Sequence, residues 1–331
     1  MRAFVITGPF AAEVRDVDAP VAGPGEVVVD VDRAGVCGTD MEFFSGEMAY
    51  LHSGEASYPV RIGHEWCGVV TAAGSADGES WIGKRVTGDT MLGCGKCARC
   101  TSGRQHTCAD RYEIGVRHGW PGALAAQLRV PVRALHELPA DFDPTVGAMV
   151  EPGANAMRAA DRAAGGRVLV MGPGTIGLLA ASFAAANGAE VHLLGLNLDF
   201  ARSLGFTNAW TAGDLPDLPF DTVIDCSTAA SLPALALDLV EPGGRVVFIG
   251  IAEEPSLIDS RQLALKDVTA AGVLSGSGAL QKTIDVYASG AVDPRPLVAA
   301  TVGLDEAVNV LSGRRDPAWG EAPKIHIDPR R

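Results

Sequence analysis

The stretch Gly172-Pro173-Gly174-Thr175-Ile176-Gly177 constrains the fold more than any other part of this chain. It follows Val168-Leu169-Val170-Met171, an apolar run that reads as a buried strand. It opens a helix rich in Ala and Leu, predicted over 175–187 and ended by Gly188. A G-x-G-x-x-G pattern is weak alone, but between a strand and a helix it has the context that a dinucleotide site needs. The first glycine makes the turn, Gly174 lets backbone approach a pyrophosphate, and Gly177 lets the helix pack on the sheet. The helix N-terminus, with Thr175 and Ile176, then faces the phosphates. Gly172, Gly174, Thr175 and Ile176 are therefore the expected cofactor-binding positions.

Further strands are predicted over 191–194, 222–225, 246–249 and 268–274, separated by helical stretches. Strands alternating with helices mean βαβ units, hence an α/β, doubly wound parallel sheet. An acidic residue for the adenosine ribose is expected about 20 residues after the glycines. That position falls near Gly195, where no carboxylate stands; Asp199 is the nearest downstream. Without that charge a 2'-phosphate is not repelled, and Asn197 and Arg202 offer it partners. This tips the expectation to NADP, with NAD left open if Asp199 swings back.

Residues 1–139 have another rhythm. Short β-branched runs such as Val27-Val28-Val29 and Val69-Val70-Thr71 are punctuated by glycine turns, as in a barrel-like or sandwich domain. Beyond Pro294-Arg295-Pro296 a short helix (304–311) and a last strand (324–327) are too little to fold alone. The chain has 331 residues, more than one core usually serves. The expected division is residues 1–152, completed by 295–331, and residues 153–294.

Two groups of residues point to metal. Cys94, Cys97, Cys100 and Cys108 lie on one loop and can surround a single Zn²⁺ tetrahedrally, with Gly93, Gly95 and Gly103 allowing the turns. With every position filled by protein, that zinc is structural. The second group is Cys37, His64 and Glu151, the ligand types of an open zinc site. One thiolate, one carboxylate and a neutral imidazole make such a site neutral. Asp40 is placed to fix the His64 tautomer, and Glu65 to reach the metal transiently. His52, His106, His118 and His136 have no such context.

The balance of 27 basic and 40 acidic residues gives a net charge of −13, which disfavours nucleic acid and anionic membranes as partners. No apolar run resembles a signal peptide, so a cytoplasmic location is expected, and the seven cysteines read as metal ligands or buried thiols.

Residues 35–40, Gly63-His64-Glu65, the 94–108 loop, Glu151-Pro152 and residues 172–177 together resemble the medium-chain, zinc-dependent alcohol dehydrogenase family, over essentially the whole chain. The resemblance implies a GroES-like β-rich catalytic domain first, a Rossmann domain second, and a tail that returns to the first. It implies that Cys37, His64 and Glu151 hold a catalytic zinc, that Thr39 hydrogen-bonds the substrate oxygen, and that the chain forms homodimers or homotetramers. Glu151 in place of a second Cys resembles the polyol and sugar branch, such as sorbitol, threonine and glucose dehydrogenases. Many relatives carry His where this chain has Glu42. The expected activity is hydride transfer between NAD(P) and a secondary alcohol, polyol or sugar hydroxyl, giving a ketone or lactone. An aminocyclitol or simple-alcohol dehydrogenase is the alternative within the class. A non-catalytic NADPH-binding protein is the alternative outside it. Phe43, Trp66 and Trp120 are the expected substrate-pocket residues.

Overall fold

A computed structural model describes residues 1–163 and 165–331 and divides them into two compact units. The first comprises residues 1–151, 280–288 and 293–331; the second comprises 152–279 and 289–292. The helix Leu280–Ala288 therefore goes with the first unit, against a boundary expected near 295. Its Leu280, Ile284 and Tyr287 are buried, and the Tyr287 hydroxyl donates to the Met149 carbonyl at 3.2 Å.

The first unit is built on a seven-stranded sheet. Its order runs Val298–Gly303, Lys324–Asp328, Glu26–Gly35, Glu65–Ala73, Arg85–Gly88, Leu135–Glu137, with Gln127–Pro131 also paired to Glu26–Gly35. All pairings are antiparallel except that between Val298–Gly303 and Lys324–Asp328. The tail thus returns to the sheet beside the strand that precedes Cys37: His326 pairs with Gly35, and Gly35 pairs with Glu65. A Cβ on Gly35 would lie 2.1 Å from a Glu65 carboxylate oxygen, so only glycine fits there. Phe43 and Trp66 are fully buried in the main apolar cluster of this unit, with Phe4, Val29, Leu128 and Ile327. They are core residues, and the expectation that they line a substrate pocket is corrected.

The all-β expectation for this half missed the helix Gly38–Ser45. Asp40 explains it. Its carboxylate accepts the Cys37 backbone N–H at 3.0 Å, satisfying one of the donors that a helix start leaves open.

The second unit holds a six-stranded parallel sheet. Its order is Ala209–Trp210, Glu190–Leu194, Arg167–Met171, Phe220–Asp225, Val240–Phe248, Thr269–Gly272. Numbered along the chain this is 3-2-1-4-5-6, the doubly wound order, with its switch point beside Arg167–Met171. The glycine stretch leaves that strand and enters the helix Thr175–Ala186. Among the described residues no helix is long and apolar enough to cross a membrane.

Candidate active site and metal centres

Cys37 and His64 come from two segments, and Asp40 ties them together. One of its oxygens accepts from the Cys37 amide and the other from the Gly63 amide at 3.2 Å. Gly63 has a φ of 100°, and a Cβ there would meet the Leu124 nitrogen at 2.8 Å, so the turn that presents His64 requires glycine. Asp40 is fully buried, and that burial raises its carboxyl pKa. The expectation that it accepts from the His64 ring is corrected by distance. His64 Nδ1 lies 3.7 Å from Asp40 Oδ1, beyond a hydrogen bond, and is buried without a partner.

The Cys37 Sγ to His64 Nε2 distance is 3.1 Å. Burial works against the imidazolium, but the Cys37 and Asp40 charges outweigh it, and His64 sits well above its ordinary pKa. Burial likewise pushes the Cys37 thiol up. A soft anion and an imidazole that share one proton suit a divalent cation, which replaces that proton and satisfies both. Tetrahedral Zn²⁺ would hold sulfur and nitrogen about 3.6 Å apart, so the pair must part by about half an ångström.

Two carboxylates compete to be the third ligand. Among the described residues, Cys37, His64 and Glu65 place their ligand atoms within 4.8 Å of one another. Glu151 lies outside that group. It lies in the first turn of the helix Val150–Ala160, is buried, and contributes to the raised His64 pKa. Both Glu65 oxygens, however, accept from Lys324 Nζ, at 2.8 and 2.7 Å, and Lys324 also donates to the Val36 carbonyl at 3.0 Å. Lys324 is the residue that reading the sequence missed. Its only sequence signal was its place on the last strand, which pairs beside residues 34–35. Thr39 is half-buried in the first turn after Cys37.

The second cluster is compact. Cys94 Sγ and Cys100 Sγ lie 4.0 Å apart, and Cys97 Sγ and Cys108 Sγ 3.8 Å. Tetrahedral Zn²⁺ with four thiolates needs sulfur–sulfur spacings of about 3.8 Å, so the cage fits as it stands. The Lys96 and Cys97 amides lower the Cys94 thiol to about 6, which favours the ligating thiolate. Gly95 and Gly103 have φ near 75° and 73°, and a Cβ on Gly93 would lie 2.6 Å from Cys100 Sγ.

At the glycine stretch, Gly172 has a φ of 81°, and a Cβ on Gly177 would lie 2.1 Å from the Gly172 carbonyl oxygen. Gly174 faces open space, leaving its backbone approachable from outside. Thr175 and Ile176 begin the helix. A Cβ on Gly195 would meet the Pro173 ring at 2.4 Å. Asn197 is exposed, while Arg202 is engaged by Asp199 at 3.1 Å and by the Ala209 carbonyl at 3.0 Å.

The sequence matches two family models: an alcohol dehydrogenase GroES-like domain over residues 23–140 and a zinc-binding dehydrogenase domain over 175–289. It is similar to an L-threonine 3-dehydrogenase of Deinococcus deserti, at 30% identity over 88% of this chain and 89% of that protein. It is also similar to one of Saccharopolyspora erythraea, at 32% identity over 82% and 83%. A zinc-binding dehydrogenase structure from Sinorhizobium meliloti 1021, bound to NADP, superposes with a TM-score of 0.88, at 29% identity over 99% of both chains. The chain belongs to the zinc-dependent medium-chain alcohol dehydrogenase family. It is a dehydrogenase, and its chemistry is NAD(P)-dependent alcohol dehydrogenation.

Proposed function

We propose that the chain oxidises a secondary alcohol, polyol or sugar hydroxyl to a ketone or lactone, with Cys37, His64 and Glu151 holding the catalytic zinc. The observation that carries this is the 3.1 Å approach of Cys37 Sγ to His64 Nε2, anchored by Asp40. When bound, zinc lowers the alcohol's pKa and the nicotinamide takes the hydride. Glu151 is the third ligand because Lys324 already neutralises Glu65. Glu65 is then a buried, paired carboxylate beside the metal, able to reach it only by leaving Lys324. Thr39, just beyond Cys37, orients the substrate hydroxyl and accepts its proton at Oγ1. Gly172, Gly174, Thr175 and Ile176 bind the pyrophosphate, and Gly195 and Asn197 flank the adenosine ribose. The missing carboxylate at Gly195 favours NADP, in line with the NADP-bound relative. Cys94, Cys97, Cys100 and Cys108 hold a structural zinc. The open edge of the strand Thr269–Gly272, with three of its four residues exposed, suits a homodimer or a homotetramer built from it.

A panel of polyols, sugars, L-threonine and simple secondary alcohols, assayed with NAD and with NADP, identifies the substrate. Zinc per chain tests the site. About two ions support a catalytic zinc beside the structural one, whereas about one, held by the four cysteines, would leave Cys37, His64 and Glu151 without a metal. Cys37→Ser with both ions and near-normal turnover would show that the catalytic metal lies elsewhere.

A further inference from the structure

The first unit contains a cavity of about 210 Å³ that none of the proposed zinc ligands lines. Its walls are the strands Arg2–Gly8 and Ala11–Asp16 and the residue that follows them, residues 56–61, and residues 116–121. Val5, Val17, Val60 and Val116 give it an apolar body, and Trp120, which the sequence placed in the substrate pocket, lines this cavity instead as an aromatic wall. Two arginines, Arg15 and Arg61, line it, and no carboxylate does. In a chain of net charge −13 that is an unusual local balance.

Arg61 is the informative residue. Its Nε is buried without a hydrogen-bond partner, and among the described residues no acid pairs with its guanidinium. Burial alone pulls its pKa down to about 10. Arg61 is half-buried, and a partly desolvated cation with no counter-charge carries a cost that a bound anion would remove. Elsewhere in this unit buried or half-buried arginines are paired: Arg33 with Asp328 at 2.7 Å and Arg111 with Glu113 at 2.8 Å. Arg15 has Glu13 at 3.1 Å, but on an exposed pair that leaves it able to exchange partners. Trp120 is held in place: its Nε1 donates to the Arg129 carbonyl, and the Arg129 guanidinium lies 4.9 Å from its ring centroid.

We propose that this cavity is a binding site for a small organic carboxylate with an apolar or aromatic body, and that Arg61 recognises its charge. A guanidinium matches a carboxylate's two oxygens in one plane, which a neutral group of the same shape cannot reproduce. The valines and Trp120 take the apolar part. The site is separate from the alcohol-oxidising centre, although Arg61 stands three residues before His64 in the chain.

Titration calorimetry of the zinc-loaded enzyme with benzoate tests it, with benzamide as the neutral probe of the same shape. Benzoate is expected to bind wild type and Cys37→Ser alike, and benzamide to bind neither. Arg61→Met is expected to weaken benzoate roughly tenfold or more while alcohol turnover persists. Ser57→Phe, at the exposed rim, fills the cavity and is expected to do the same, which keeps the test decisive if the arginine variant misfolds. The proposal is overturned by benzoate that does not bind wild type at millimolar concentration, or that binds equally to Arg61→Met or to Ser57→Phe. Loss of binding in Cys37→Ser overturns it too, because it puts the carboxylate on the catalytic metal.

Discussion

Lys324 Nζ donates to both carboxylate oxygens of Glu65, at 2.8 and 2.7 Å, and each side chain is 3% exposed. The pair joins the last strand of the chain to the residue after a proposed zinc ligand. Removing one partner of a buried pair strands the other charge, at a cost of about 3–5 kcal/mol, whereas replacing both with apolar residues is often neutral. Lys324→Met is therefore expected to be strongly destabilising in urea, and Lys324→Met with Glu65→Met to recover most of the loss. A single variant no worse than the double would show that the pair is not coupled.

The proposed ligand set separates by zinc content and rate. Glu151→Gln is expected to cut turnover and loosen one zinc while the four-cysteine zinc stays. Thr39→Ala is expected to keep both ions and lose rate on the order of 10²-fold, as loss of a positioned proton acceptor does. Metal analysis beside steady-state kinetics reads both, and a Thr39→Ala enzyme of normal rate removes the hydroxyl from the proton path.

For the loop, Cys100→Ser breaks a cage whose sulfur spacings already match zinc. The variant is expected to lose one of about two zinc ions and to melt several degrees lower, while surviving folded enzyme keeps some turnover. Unchanged zinc content and melting temperature would rule the structural site out.

Cofactor choice carries a steric condition. Gly195→Asp supplies the missing ribose carboxylate, but its Cβ meets the Pro173 ring at 2.4 Å. The single variant is expected to lose about 1–3 kcal/mol of stability to overpacking. With Pro173→Ala added to relieve the contact, preference is expected to move toward NAD, read as the ratio of kcat/KM for the two cofactors. A wild type already tenfold better with NAD, about 1.4 kcal/mol, would reverse the NADP assignment.

Loss of stability in acid has a buried origin. His326 is fully buried, neither ring nitrogen has a partner, and burial, followed by the Lys324 and Arg33 cations, lowers its pKa to about 3. The unfolded value is about 6.5, so the unfolded chain takes up the extra proton. The contribution is complete above about pH 6.5 and is lost as pH falls toward 3, reaching about 2 kcal/mol at pH 5. His326→Phe should flatten that part of a urea-midpoint profile, and an unchanged slope would assign it to other groups.

The glycine stretch was legible because backbone geometry demands glycine there: Gly172 needs a positive φ, and Gly177 has no room for a Cβ. The four cysteines were legible because their spacing is local. What escaped was non-local. Lys324 is separated from Glu65 by 259 positions, and only strand pairing brings them together. The helix at Gly38–Ser45 hides behind a glycine and a threonine, poor helix formers, and is started by one buried aspartate. Phe43 and Trp66 looked like pocket residues because they neighbour site residues in sequence. Along a strand or a helix, adjacent side chains face different ways, and these two face the core.

The strand Lys324–Asp328 also sets a timetable. Until it leaves the ribosome, Glu65 has no ammonium and the strand Glu26–Gly35 lacks one of its neighbours beside Cys37. The doubly wound unit, residues 152–279 and 289–292, is by then wholly synthesised and needs nothing from that strand for its own sheet. During synthesis the cofactor fold can therefore be complete while the metal-bearing half is still unfinished. Deleting residues 324–331 should return the enzyme to that half-made condition, with dinucleotide binding retained and catalytic zinc released, as dye-displacement and metal analysis would read.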